Sequence, residues 1–137
     1  MTTPATGPEK PCVQVPVRVD ERDCPIEHWA DPARGSIGFK TLVSASSTPT
    51  ETLVCGIAVM EKGDTFAQHC HPQPEVYFGL EGEARVLIDG VPHLLAPGVA
   101  LFIPGGAWHG VALADQPVRW FYTFAADAFA DITYRFA

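Results

Sequence analysis

The sequence has no uninterrupted run of eighteen apolar residues, so nothing in it reads as a membrane-spanning helix. Basic residues are scarce. Nine Lys and Arg stand against sixteen Asp and Glu, a net charge of −7, which argues against a nucleic-acid partner, since such proteins usually carry a basic patch to offset phosphate charge. Cysteine is sparse too. Cys12, Cys24, Cys55 and Cys70 form no CxxC pair and no even framework, so they read as free thiols, although Cys12 and Cys24 are placed where they could bridge. Met1–Pro11 lacks the basic-then-apolar pattern of a secretion signal, and the expected location is cytoplasmic.

What is plentiful is turn chemistry. Thirteen prolines and twelve glycines are spread along the whole 137 residues and do not gather in a linker. Short apolar or β-branched segments lie between them: Phe39–Ser44, Thr52–Met60, Val76–Leu80, Ala84–Ile88, Val99–Ile103, Trp108–Leu113 and Val118–Phe124. Asp89-Gly90 is a hairpin signal, and Pro97-Gly98 and Pro104-Gly105-Gly106 are further turns. Regular short strands of this kind predict an all-β sandwich or barrel. Only Ala125–Phe129 reads as a helical turn. The expected organisation is an N-terminal extension over 1–34 and one barrel over 35–137. Within the extension, 1–11 is expected to be disordered and 12–20 to form an edge strand, because Pro16 cannot donate to a ladder. Such a strand, Val13–Val19, ahead of a complete barrel predicts pairing with a second copy of the chain, a homodimer.

Three of the five histidines and one glutamate stand out. His69 and His71 are two apart, so on a strand both leave the same face. Glu75 follows the stiff Pro72-Gln73-Pro74, which can bend a carboxylate back beside them. His109, beyond the Pro104-Gly105-Gly106 turn, heads a face with Val111 and Leu113, and a histidine on an apolar face needs a polar partner. Imidazole nitrogen and carboxylate oxygen together suit one divalent transition metal, Fe, Mn, Ni, Co or Zn. His28 and His93 read as surface residues. Tyr77 shares the face of Glu75, where it serves either packing or proton transfer. Tyr122 shares a face of the last strand with Trp120 and Phe124, with the inward side undecided. Arg85 and Lys40 are candidate anchors for a substrate carboxylate, with a solvated surface role the better reading.

The order Gly63, His69, His71, Glu75, Gly82, and then Gly98, Pro104, Gly106, His109, resembles the two sequence motifs of the cupins. The one departure is Leu113, where the family usually has Asn. The resemblance implies a jelly-roll barrel, a double-stranded β-helix, whose metal is held by His69, His71, Glu75 and His109. The tail from Phe121 to Tyr134 is further similar to the small cupin-type dimethylsulfoniopropionate lyases. That resemblance implies β-elimination from a small carboxylate, with Tyr77 as the base and Tyr134 as a second pocket tyrosine. Two other readings fit the same ligands: an iron dioxygenase, and a sugar- or acid-binding cupin without catalysis or with isomerase-like activity, for which Trp108 and Trp120 would supply stacking faces.

Overall fold

A computed structural model describes residues 14–137, so Cys12 and Val13 lie outside the described residues. Eleven strands form two antiparallel sheets. The first sheet contains β1 (Glu27–His28), β2 (Gly38–Val43), β3 (Val54–Met60), β5 (Glu75–Glu81), β8 (Ala100–Ile103) and β10 (Val118–Phe124), in the spatial order β1-β2-β3-β10-β5-β8. The second contains β4 (Phe66–Cys70), β6 (Ala84–Ile88), β7 (Val91–Leu95), β9 (His109–Val111) and β11 (Arg135–Phe136), in the order β11-β4-β9-β6-β7. Every pairing is antiparallel, and the two sheets enclose one core as a jelly-roll barrel.

Sequence alternation explains the layers. Along β10, Val118, Trp120, Tyr122 and Phe124 are buried while Arg119, Phe121 and Thr123 are half-buried, so the aromatic row is the inward one. That row runs from Val118, in a packed end with Met60, Val86 and Leu95, to Tyr122 and Phe124 beside an open cavity. Asp89 and Gly90 both take positive φ, 47° and 79°, which is what the two-residue hairpin between β6 and β7 demands. Pro92 is accommodated because β7 is an edge strand.

Several expectations shift. Gln14–Asp20, the described part of the expected edge strand, forms no strand and joins no sheet of its own chain; the backbone N–H of Val15 donates to Pro49 O at 3.1 Å. The helical turn expected at Ala125–Phe129 lies at Phe129–Asp131, and two more short turns, Glu21–Asp23 and Pro32–Arg34, lie in the N-terminal extension where none was expected. Leu113 does not share the fate of His109 and Val111: β9 ends at Val111, and Leu113 is exposed. The sequence reading gave no range to β1, β4, β7 or β11: Pro92 and His93 interrupt the apolar pattern of β7, and β1 and β11 are only two residues long. Cys24, Cys55 and Cys70 are free thiols. Among the described residues no helix is long and apolar enough to cross a membrane.

Two glycines of the first motif occupy different environments. Gly63 has φ 94° with open space where a Cβ would be, whereas Gly82 has φ 67° and a Cβ there would overlap the carbonyl of Pro117. Gly63→Ala should therefore cost only the left-handed backbone strain, about 1–2 kcal/mol, and Gly82→Ala should add about 1–3 kcal/mol of overpacking. Chemical denaturation of both variants checks the order; equal losses would contradict it.

Candidate metal centre

His69 and His109 face each other directly across the β4–β9 ladder, with ring centroids 4.1 Å apart. His71 sits one residue past the end of β4, where its carbonyl accepts the N–H of Gly106 at 2.8 Å. That contact explains the glycine pair in the second turn: a Cβ on Gly105 would overlap the carbonyl of Pro72. Glu75 enters from the other sheet as the first residue of β5. The ligand-capable atoms of the three imidazoles lie within 4.8 Å of one another. Glu75 Oε1 is 3.1 Å from His109 Nε2 and 3.4 Å from His71 Nε2. All four side chains are buried.

The hydrogen bonds behind the rings decide what this group can hold. His69 Nδ1 lies 2.9 Å from Ala67 O, His71 Nδ1 2.9 Å from Gln73 O, and His109 Nδ1 2.8 Å from Ala107 O. A carbonyl only accepts, so each Nδ1 carries the hydrogen and donates it. In a neutral ring, Nε2 is then a bare lone pair, and all three lone pairs face the same small space as the Glu75 carboxylate. Burial, reinforced by the neighbouring His109, lowers the pKa of His69 to about 3 and keeps it neutral. For Glu75 burial acts to raise the pKa, and hydrogen bonding from His109 and His71, wherever a ring carries a hydrogen on Nε2, outweighs it and holds the carboxyl below its ordinary value. With the three rings neutral, their lone pairs and the Glu75 carboxylate repel one another unless a proton or a metal ion lies among them. Three Nε2 donors and a carboxylate, each imidazole oriented from behind by a carbonyl, are a donor set suited to a divalent transition metal.

This group opens on a cavity of about 300 Å³ whose wall is chiefly aromatic. Tyr77, 2 % exposed, meets His109 edge-on at 6.1 Å and tilts against Trp120 at 5.2 Å. Tyr134 lies 5.5 Å from His71 and 6.0 Å from His69. The two tyrosines expected from the sequence therefore both border the imidazole group. Tyr122 lines the same space, and a Cβ at Gly56 would overlap its hydroxyl, so the glycine makes room for that ring. Burial pushes all three phenols well up from the usual tyrosine value, and the Glu75 charge adds to this. The indole N–H groups of Trp29 and Trp120, both in the wall, are buried with no partner among the described residues.

Other expectations resolve simply. Arg85 is exposed and Lys40 half-buried, and neither lines the cavity. His93 is an exposed residue of β7. His28 borders the cavity, but its ring packs over Gly38 with Nδ1 3.2 Å from Ile37 O, in keeping with a surface role. Trp108 is absent from the wall; it lies under the guanidinium of Arg135. Sequence reasoning missed Glu27, Trp29, Phe39, Phe66 and Phe129, which the fold brings to the wall from four separate stretches. The segment before the barrel and the C-terminal tail meet here. Trp29 packs edge-on against Tyr134 at 5.1 Å and against Phe136 at 5.8 Å, and Arg34 covers both Trp29 and Phe136. Strand β11 pairs Phe136 with His69, so the tail is sewn to the strand that carries an imidazole of the site.

Comparison with known proteins agrees with this architecture. The chain is 40% identical over 121 residues to dimethylsulfoniopropionate lyase DddW of Ruegeria pomeroyi, covering 88% of this chain and 80% of that protein. The fold is similar to that of the polyketide cyclase RemF from Streptomyces resistomycificus, with a TM-score of 0.76 at 21% identity over 90% of this chain and 86% of that one. It is also similar to a chain from the crystal structures of the DMSP lyases RdDddP and RnDddQII, with a TM-score of 0.68 at 19% identity, covering 83% and 62% respectively. The family model described as the cupin domain matches residues 56–124, from β3 through β10, the span that holds all three imidazoles and Glu75. The chain belongs to the cupin family.

Proposed function

We propose that this protein is a metal-dependent carbon–sulfur lyase that eliminates dimethyl sulfide from dimethylsulfoniopropionate or a closely similar β-substituted carboxylate. The observation that carries the reading is the placement of two tyrosines, Tyr77 and Tyr134, against an acceptor-only His and Glu cluster inside an aromatic cavity. The 40% identity to DddW supports it. The ligands are His69, His71, Glu75 and His109. A divalent cation held there supplies a Lewis acid for a substrate carboxylate and a positive charge that favours ionisation of a neighbouring phenol.

The chain's own residues then have separate tasks. Tyr77 is the base: its phenolate oxygen takes the proton α to the carboxylate, and it sits deep enough that water does not compete. The C–H electron pair becomes the Cα–Cβ double bond, and the Cβ–S bond breaks with its pair leaving on sulfur. The products are acrylate, neutral dimethyl sulfide and a proton on Tyr77. Tyr134, on the other side of the imidazoles, closes the site and orients the substrate. The aromatic wall suits the sulfonium, because π faces attract a cation that has shed part of its hydration.

Tyr77→Phe retains the ring and removes the ionisable oxygen. It should leave metal content and melting temperature nearly unchanged while dimethyl sulfide release falls by roughly 10²–10⁴. His71→Ala should lower metal content and activity together. Both are read by headspace analysis of dimethyl sulfide and by metal analysis of the same preparations. Release that survives Tyr77→Phe would discard the base; no release with Mn, Fe, Co, Ni or Zn would discard the lyase in favour of oxygenase chemistry at the same ligands.

The working form is a homodimer in the cytoplasm, with the Val13–Val19 strand laid on the partner subunit. Val15, Val17 and Val19 are 53%, 41% and 37% exposed in the single chain, an alternating apolar row on an extended segment outside both sheets. Sedimentation should give twice the chain mass, and Val15→Glu with Val17→Glu should shift it to the monomer. A monomeric unsubstituted protein would contradict this.

A further inference from the structure

The cavity wall carries no lysine and no arginine, and its two carboxylates have different fates. Glu75 belongs to the imidazole group. Glu27 does not. It stands opposite Phe39 in the β1–β2 ladder, and directly opposed residues of an antiparallel pair put their side chains on one face. Phe39 points inward, edge-on to Tyr122 at 5.9 Å and to Phe66 at 5.7 Å. Glu27 is therefore on the inner side of an edge strand, at the open rim of the cavity, exposed. Among the described residues it has no ion-pair partner. Its charge reaches the cavity and adds to the upward push on the Tyr122 phenol. Arg34 is engaged on the faces of Trp29 and Phe136, and neither it nor Lys40 lines the wall.

We infer that Glu27 is a specificity-determining residue that selects substrates bearing an onium group at the end remote from the carboxylate. The inference rests on the reading of the site as one that takes a small carboxylate, and it adds the requirement at the other end of the molecule. A carboxylate-only ligand leaves Glu27 and the π faces without a counter-charge. A zwitterion satisfies both ends, the anionic end at the imidazole group and the cationic end between the aromatic wall and Glu27. The wall supplies attraction to any cation; Glu27 supplies the net charge that a neutral group of the same shape cannot use. Because Glu27 is exposed, its share is modest and sensitive to salt.

The test is a pair of ligands equal in shape and different in charge, 3-(trimethylammonio)propionate and 4,4-dimethylpentanoate, titrated calorimetrically into the metal-loaded protein at low ionic strength. The unsubstituted protein should prefer the cationic ligand. Glu27→Gln should shrink that preference about two- to fivefold while leaving the neutral ligand's affinity unchanged, Glu27→Asp should restore part of it, and added salt should erode it only when the carboxylate is present. A preference that is the same in Glu27→Gln overturns the inference and leaves selection to the aromatic wall. No preference in the unsubstituted protein, or no binding of either ligand, overturns it as well. Binding is read without turnover, so a Glu27-dependent preference in a protein that releases no dimethyl sulfide would refute the lyase reading and keep the onium site.

Discussion

Three backbone carbonyls, those of Ala67, Gln73 and Ala107, set the character of this molecule. Each takes the Nδ1 hydrogen of a buried imidazole and so turns an Nε2 lone pair toward the same point. The fourth acceptor, Glu75, comes from the opposite sheet, so the cluster bridges both layers of the barrel. Such a group is unfavourable by itself. With the rings neutral, lone pairs at 3.1–3.4 Å repel, and burial removes the water that would screen them. The barrel tolerates this because strand pairing and the packed end around Met60, Val86 and Leu95 hold the backbone regardless of the site. A bound cation converts the same repulsion into attraction, so its binding energy also stabilises the fold.

The proposed chemistry depends on what surrounds that centre. The wall offers phenols, indoles and phenyl rings but almost no formal charge beyond the cluster and Glu27. In such a low-dielectric space, with a cation held by the cluster, a carboxylate substrate would find its positive partner only at the centre, which would fix its orientation. Closure depends on the segment before the barrel and on the C-terminal tail. Trp29 arrives on the segment before the barrel and Tyr134 on the segment after it, and their edge-on contact, backed by Arg34 and Phe136, completes the mouth. The ladder between β11 and β4 couples this closure to His69 itself.

Much of this was legible in the sequence because it is encoded in local spacing. Two-residue alternation puts His69 and His71 on one side, the Pro72–Pro74 stretch returns Glu75 to them, and Tyr77 follows on the same face. The turns at Asp89-Gly90 and Pro104–Gly106 mark their own positions through backbone geometry that few other residues adopt. What escaped depends on pairings distant in sequence. Nothing local distinguishes the Trp120, Tyr122, Phe124 face from its reverse; the choice is made by β3 and β5 on either side, including the space that Gly56 leaves for Tyr122. Glu27 and Trp29 were invisible as wall residues because β1 has only two residues and gains its place solely by pairing with β2. Tyr134 was reached through family resemblance alone, since its position depends on the β11–β4 contact. Leu113 misled because alternation continues in the sequence after the strand has ended at Val111.

The proposed lyase needs a cation held by His69, His71, Glu75 and His109. X-ray absorption of the protein loaded with one equivalent of cobalt or iron addresses this directly. It should show a first shell of nitrogen and oxygen only, at about 2.0–2.2 Å, with the outer-shell scattering of three imidazoles, and that scattering should drop to two rings in His109→Ala. A shell containing sulfur, fewer than three imidazoles, or no stoichiometric uptake of metal would contradict the assignment of His69, His71, Glu75 and His109 as the centre of the molecule.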